Sequence, residues 1–376
     1  IKLSKFSLLF ICVVVYDCFS STMAKTIFSL AASIIKFFIF FLFFLNANAD
    51  TVNKKYDHNE KGILAIMYHR FEENKYPSTN IKIDAFKKHI NLIKENKLEF
   101  LNPRDFDHEF NKVSEEKKIL LTIDDAFSSF YLNAWPILVE EEIPFILFVS
   151  TEPVGKKGYM TWDEIIEISQ EEFVTIGNHS HSHEYLTKYK FDDFKKDINQ
   201  SIEIFEKKLN YQPNFFSYPF GEYSTDLKKI VIDLGFKYAF GQHSGVVDQT
   251  KNYYEMPRFP INEKYGETER FKSILKTLPF PFKSIQPENR YISDSNNPPK
   301  VRIEFYENLK NLNNINCFSN EEDKWRNSKI KFDGKFNLNI TLEGKFVTER
   351  GRINCSLREH NNFYRWLGIQ FVVKEN

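Results

Sequence analysis

Two strings carry the residue types that a hydrolytic metal site needs. The first is Thr122-Ile123-Asp124-Asp125-Ala126-Phe127, with two adjacent carboxylates directly after an apolar run. Such a pair is costly unless something neutralises it. A divalent ion could take one carboxylate and leave the other as a base. A helix N-cap pair facing the helix dipole is the competing reading. The second is Ile176-Gly177-Asn178-His179-Ser180-His181-Ser182-His183, which holds three of the nine histidines. His179 and His183 stand at i and i+4, which converge on one ion in a helical turn. His179, His181 and His183 share a face if the segment is extended. A chance cluster on a solvated loop is the plain alternative. Two His and one Asp leave coordination positions open, as catalysis requires. Imidazole plus carboxylate suits zinc first, with nickel, cobalt or iron as alternatives. A third string, Phe215-Phe216-Ser217-Tyr218-Pro219-Phe220-Gly221, sets aromatics at a strand end beside a Pro-Gly turn. It lines a pocket, or it is ordinary core and turn.

These strings need elements to hold them. Short apolar runs at 63–68, 119–123, 145–149, 173–176, 215–218 and 238–240 read as strands. Most do not alternate, which fits strands buried on both faces of a parallel sheet. Helical patterns lie between them, at 85–94 (Phe86, Ile90, Ile93) and 191–209 (Phe194, Ile198, Ile202, Phe205). Ser224 reads as an N-cap of a helix to Leu234, and Gly235 as its C-cap. Repeated β-then-α order predicts an α/β barrel or a doubly wound sheet. Chemistry gathers at the C-terminal strand ends of both. All three strings sit there.

In this order the motifs resemble a known family. Asp124-Asp125 within T-x-D-D, then His179-Ser180-x-x-His183, then Tyr218-Pro219-Phe220-Gly221 look like the first three motifs of the polysaccharide deacetylases, the NodB homology domain of carbohydrate esterase family 4. The resemblance covers roughly residues 60–265. Met67-Tyr68-His69-Arg70 is similar to exported members, including the poly-β-1,6-N-acetylglucosamine deacetylase branch. The family implies a distorted (β/α) barrel of the NodB type and metal-dependent removal of N-acetyl groups from amino sugars. It implies Asp125, His179 and His183 as metal ligands and Asp124 as catalytic base. It also implies an oxyanion contact from backbone N–H near Tyr218, with Pro219 and Phe220 beside the substrate. His181 matches no ligand. Three departures follow. Ala126 replaces the usual Gly, a small change that keeps room beside the base. No Arg opens the third motif, and Arg258, in Met256-Pro257-Arg258-Phe259-Pro260, is the expected substitute for bracing Asp124. No clean general-acid His closes the pattern; His243 is the candidate, with a surface-loop role as the alternative. His69 lines the site or is a buried structural residue.

The rest of the chain bounds the reading. Lys+Arg and Asp+Glu number 51 each, a zero balance that argues against a nucleic-acid partner. An uncharged glycan needs no basic surface. The 39 Phe are a surplus that core, membrane or sugar stacking would explain. Part of it lies in apolar runs at 6–16 and 27–45. Met23-Ala24-Lys25, the second run and Ala47-Asn48-Ala49 make a signal peptide with cleavage before Asp50. Met23 is then the expected start and 1–22 an upstream extension. An uncleaved anchor is the alternative, interrupted at Lys36. Cleavage leaves an exported, periplasmic or cell-envelope protein with no membrane span. Cys12 and Cys18 precede the cleavage point; Cys317 and Cys355 form a disulfide or two buried free thiols.

The organisation expected is 1–49 leader, 50–280 deacetylase domain, 281–300 Pro-rich linker or wrapping loop (Pro279, Pro281, Pro287, Pro298 and Pro299 at and near it) and 301–376 β-rich accessory domain. Alternation at Phe336, Leu338, Ile340 and Leu342 marks antiparallel strands. Trp325, Trp366 and Arg365 form a stacking platform there, or the Trp are core. The whole reads as an exported carbohydrate N-deacetylase. An O-acetyl esterase on the same centre, or a glycan-binding module with a vestigial site, are the rivals.

Overall fold

The computed structural model describes residues 60–185 and 190–374. The leader, with Met23, Cys12 and Cys18, lies outside them. Seven strands make the main sheet: β1 (Ile63–Tyr68), β2 (Lys118–Asp124), β3 (Phe145–Val149), β4 (Val174–Asn178), β5 (Phe215–Ser217), β6 (Tyr238–Phe240) and β7 (Phe259–Pro260). Their order is β7-β1-β2-β3-β4-β5-β6, with Glu99–Phe100 added beside β2, and every pair is parallel. Met256 bridges Phe240, and three residues later Phe259 pairs with Ile66 of β1. One segment therefore ties the two edges of a curled sheet, and the expected distorted (β/α) barrel is observed.

The strands are apolar throughout because both faces are covered. Along β1, Leu64, Ile66 and Tyr68 enter the core under the helices, while Ile63 and Ala65 enter the core inside the curl. The helices are α1 (Ile83–Glu95), α2 (Phe106–Asn111), α3 (Trp135–Glu140), α4 (Trp162–Ser169), α5 (Phe191–Leu209), α6 (Thr225–Asp233) and α7 (Thr268–Leu275), of which α2 packs on the inside of the curl. The Ser224 hydroxyl accepts from Leu227 N–H, so it caps α6 as expected; Gly235 follows with φ +84°. A small part of the Phe surplus fills the curl. Phe106 and Phe110 of α2 pack with Phe215, Tyr238, Phe240 and Phe148. No helix of the described residues is long and apolar enough to cross a membrane.

The Pro-rich stretch differs from the linker expected of it. It contains strand β8 (Phe282–Gln286), which pairs with β9 (Val301–Phe305). Already before it, Thr277–Leu278 joins the C-terminal sheet. The prolines flank these strands and so do not break them. Beyond follow β10 (Asn316–Glu321), β11 (Lys324–Asn327), β12 (Lys329–Asp333), β13 (Asn337–Thr341), β14 (Arg350–Arg358) and β15 (Tyr364–Val373). One sheet holds β15-β14-β10-β11, the other β8-β9-β13-β12. They share one apolar core. Cys317 and Cys355 face each other across β10 and β14 and are bonded. The curled sheet and these sheets belong to one compact unit.

The two tryptophans separate. Trp366 packs between Phe259 and Phe318, and Trp325 is exposed beside Phe318. Arg365 is buried, on Glu359 and Pro279 O. These three side chains form no common platform.

Candidate active site

The candidate groups lie at or just past the C-terminal ends of β1, β2, β4, β5 and β6, except Arg258, which immediately precedes β7. Strand β2 ends at Asp124, and the next two residues take left-handed backbone: Asp125 at φ +75° and Ala126 at φ +52°. This conformation costs about 1–3 kcal/mol per non-glycine residue. It explains why Gly suits position 126: the requirement is one of backbone rather than side-chain room. The turn sends the two carboxylates apart, Asp124 toward Arg258 and Asp125 toward the histidines.

Arg258 does face Asp124. Nη1 and Nη2 donate to Oδ1 and Oδ2 at 2.7 and 2.8 Å. The remaining N–H groups go to Thr122 Oγ1 (3.1 Å), Ser217 Oγ (2.8 Å) and Gly241 O (3.0 Å). All five donors of a buried guanidinium are thus used, which such burial demands. The Ser217 hydroxyl also reaches Asp124 Oδ2 (3.3 Å). Burial alone would push the Asp124 carboxyl up. The Arg258 charge, and then His179, outweigh it and hold the group well below the usual carboxylate range.

Asp125, His179 and His183 converge. His183 Nε2 is 3.2 Å and His179 Nε2 3.5 Å from Asp125 Oδ1, and the three ligand atoms lie within 4.8 Å of one another. His179 Nδ1 donates to Ser217 O (2.6 Å), which leaves the Nε2 lone pair facing the cluster. That Nε2 is sealed from solvent and has no hydrogen-bond partner. Burial pushes His179 down to about 4, so the ring is neutral near pH 7. A neutral imidazole with an orphaned inward nitrogen, beside a carboxylate, fits a divalent cation.

The histidine loop is neither a helical turn nor an extended strand. Ser180 and His183 are left-handed, at φ +68° and +56°. Asn178 Oδ1 accepts from Ser180 N–H, and Asp197 of α5 accepts from His181 and Ser182 N–H (2.9 and 3.0 Å). His181 turns away, to Thr151 and Gln200. Asp197 was not legible as a site residue; its one trace is an acid on the buried face of an amphipathic helix.

The third string divides. Phe215, Phe216 and Tyr218 are core, with the Tyr218 hydroxyl on Tyr254 O. The Tyr218 N–H is committed to Phe240 O and cannot serve an oxyanion. Pro219 is buried and has no N–H; Gly221 and Glu222 N–H close onto Tyr218 O and Pro219 O. Phe220 remains, left-handed at φ +58°, its N–H without an acceptor among the described residues. Its ring lies 4.5 Å from that of His183.

His69 and His243 differ. His69 follows β1, makes no side-chain hydrogen bond to a described residue, and is held down by burial. The opposing charges nearest it are Asp125 and Asp124. His243 is not brought to the cluster. Its Nδ1 is sealed without a partner beside Gly241, and its ring lies 6.1 Å from Tyr223. Burial, then the charge of Arg290, pushes it down to about 3. Position after β6 told nothing of which way the ring turns. On the other flank of Asp125, Arg70 lies between the rings of Phe127 (3.4 Å) and Tyr76 (4.2 Å), with Tyr159 against Phe127.

The polysaccharide deacetylase family model matches residues 111–239, which include Asp124, Asp125, His179, His183 and Phe220. Over this segment the chain is a polysaccharide deacetylase domain. The poly-beta-1,6-N-acetyl-D-glucosamine N-deacetylase of Staphylococcus aureus (strain N315) is 25% identical over 259 residues, 61% of this chain and 88% of that protein. The Streptococcus pyogenes deacetylase PplD, solved in complex with acetate, shares the fold at TM-score 0.52 and 21% identity, over 57% of this chain and 99% of that one. IcaB from Ammonifex degensii does so at TM-score 0.52 and 20% identity, over 57% and 97%.

Proposed function

We propose that this chain hydrolyses N-acetyl groups on an amino-sugar polymer, releasing acetate and leaving free amines. The observation that carries the reading is the Asp125–His179–His183 cluster beside an ionised, Arg-braced Asp124. The staphylococcal relative supports poly-N-acetylglucosamine as the first substrate to try, before chitooligosaccharide or peptidoglycan. Asp125, His179 and His183 would hold the ion, zinc before nickel, cobalt or iron. A divalent ion bound there supplies Lewis acidity, acidifying water and polarising an acyl carbonyl.

The chain's own groups do the rest. Asp124 takes the proton of the attacking water. Arg258 fixes the plane of that carboxylate and limits its basicity. The Phe220 N–H donates to the oxygen that gains charge as the acetamide carbonyl is attacked. The proton that Asp124 takes from the water passes through His69, which lies near both aspartates, to the departing amine, so the ring starts and ends neutral as its burial favours; His243 is poorly sited for this. The Cys317–Cys355 bond supports an exported protein, since such bonds persist in oxidising compartments.

The test is acetate release from β-1,6- and β-1,4-linked N-acetylglucosamine oligomers, before and after chelation and with zinc restored. Release that stops with chelator and returns with zinc is expected. His69→Ala should lower kcat by ~10²–10⁴ with zinc still bound. No acetate from any N-acetylated oligomer despite bound metal overturns the reading.

A further inference from the structure

Strand β15 reaches the rim of the curled sheet at two loops. Leu367 bridges Gly245, and Gly368 N–H donates to Ser244 O (2.7 Å), in the loop after β6. Two residues on, Gln370 is 1% exposed and sends its Nε2 hydrogens to Phe220 O and Gly221 O, each at 3.1 Å. Its Oε1 accepts from Arg352 Nε (3.2 Å). Arg350, paired with Val372 across β14 and β15, adds a second contact. Its guanidinium lies 5.3 Å from the centre of the Phe220 ring and 5.9 Å from that of Tyr185. Ion pairs to Glu222 (3.0 Å) and Glu349 (3.1 Å) hold it there. Tyr185 lies parallel to Phe220 at 4.0 Å.

Phe220 is a left-handed residue with a bulky side chain, and such a residue persists only where its surroundings over-determine it. Among the described residues, Gln370 is the only donor to the Phe220 and Gly221 carbonyls. Both the donor and the covering guanidinium come from the C-terminal sheet, not from the curled sheet that carries the turn. We propose that Gln370 and Arg350 are positioning residues: the C-terminal sheet sets the Tyr218–Gly221 turn, and through it the Phe220 N–H and the ring beside His183. The accessory sheets are then a wall of the active site rather than a separate glycan-binding module. Only the kinetic part of this inference rests on the deacetylase reading.

Gln370→Met in the full chain keeps length and removes both donors. Amide exchange at Gly221 and Glu222 should accelerate at least tenfold, while Ile63–Tyr68 stays protected. A donor displaced by about 1 Å costs on the order of 10²-fold, so kcat should fall ~10–100-fold with KM within about twofold. Zinc affinity should not change. Arg350→Lys, which keeps a cation for Glu222 but loses the planar contact, should give the same pattern more weakly. It carries the test if Gln370→Met does not fold. Unchanged exchange in the turn overturns the proposal, as does faster exchange with kcat intact in an active enzyme. If the unaltered chain releases no acetate, the deacetylase reading fails while the exchange measurement still decides this one.

Discussion

Arg258 and Arg365 are both sealed from solvent, yet they sit in regions that use charge differently. At the rim, Arg258 meets the Asp124 carboxylate with two donors and steadies it with three more bonds. At the seam between the curled sheet and the C-terminal sheets, buried cations serve the backbone, Arg365 and Lys251 while also pairing with Glu359 and Asp248. Lys117 Nζ donates to Leu275 O (2.7 Å) and Thr277 O, Arg365 to Pro279 O (2.7 Å), and Lys251 to Phe280 O (3.2 Å). These carbonyls belong to the stretch that leaves α7 and enters the β sheets, where a regular ladder does not satisfy them all. The rim therefore concentrates charge on one functional group, and the seam spreads it along a chain crossing. Damage at the rim should appear in activity, and damage at the seam in stability.

The largest effect should come from the rim itself. His179→Ala should abolish metal binding and lower acetate release by ~10³-fold or more. Asp124→Asn should keep the metal and lose ~10²–10⁴ in kcat. Metal content of the two purified variants separates the roles. Loss of metal in Asp124→Asn but not in His179→Ala would reverse them.

The next prediction sets the two arginines against each other. Removing one partner of a buried pair costs about 3–5 kcal/mol, so Arg258→Met and Arg365→Met should each lower stability by that order. Only Arg258→Met should also change catalysis. Without the guanidinium, burial pushes the Asp124 carboxyl up unopposed, and the acid limb of the kcat/KM profile should move to higher pH. In the intact protein the depressed Asp124 contributes stability above its unfolded pKa, lost only as pH falls through the low folded value. Equal pH profiles in the two variants would erase the distinction between rim and seam.

A smaller effect belongs to the seam lysine. Burial, with a minor contribution from Lys61, pushes Lys117 down to about 7 from 10.5. From pH 7 to about 10, the unfolded chain holds a proton that the folded chain has released, so stability should rise with pH. Glu60, pushed up to about 7, acts only below that window. Denaturant unfolding at pH 7, 8 and 9 should show the rise, and Lys117→Met should flatten it without altering kcat.

The rim was the more legible region. Parallel strands buried on both faces read as plain apolar runs, and the strings at 63–68, 145–149 and 238–240 match β1, β3 and β6 to the residue. Arg258 stood out as one charge between Met256-Pro257 and Phe259-Pro260. The backbone at Asp125, Ala126, Ser180 and His183 was not legible, because left-handed non-glycine residues leave no pattern. The seam was misread. Its prolines suggested a linker, but they lie between strands as short as Thr277–Leu278, too brief for alternation to show. Gln370 left a trace in Leu367-Gly368-Ile369-Gln370-Phe371, a polar residue in a buried run, but nothing named its partner 149 positions away.

The smallest expected effect tests the border between the regions. His243 follows β6, and its carbonyl accepts from Arg258 N–H (3.0 Å). Only its backbone thereby touches the rim machinery, and His243→Ala keeps that bond. The ring packs near Tyr223 and Gly241 and is hydrogen-bonded to the Glu255 backbone, and deleting it costs that bond and part of the packing. It also removes a sealed Nδ1 without a partner, and such an atom costs about 1–3 kcal/mol. The two terms oppose each other, so the net stability change should be near 1 kcal/mol, with kcat/KM within about twofold. A general acid would instead lose ~10²–10⁴ in kcat. A fall of that size in His243→Ala, with His69→Ala unaffected, would move the acid from the β1 side of the cleft to the β6 side. It would also make the loop that β15 grips at Ser244 part of the catalytic machinery.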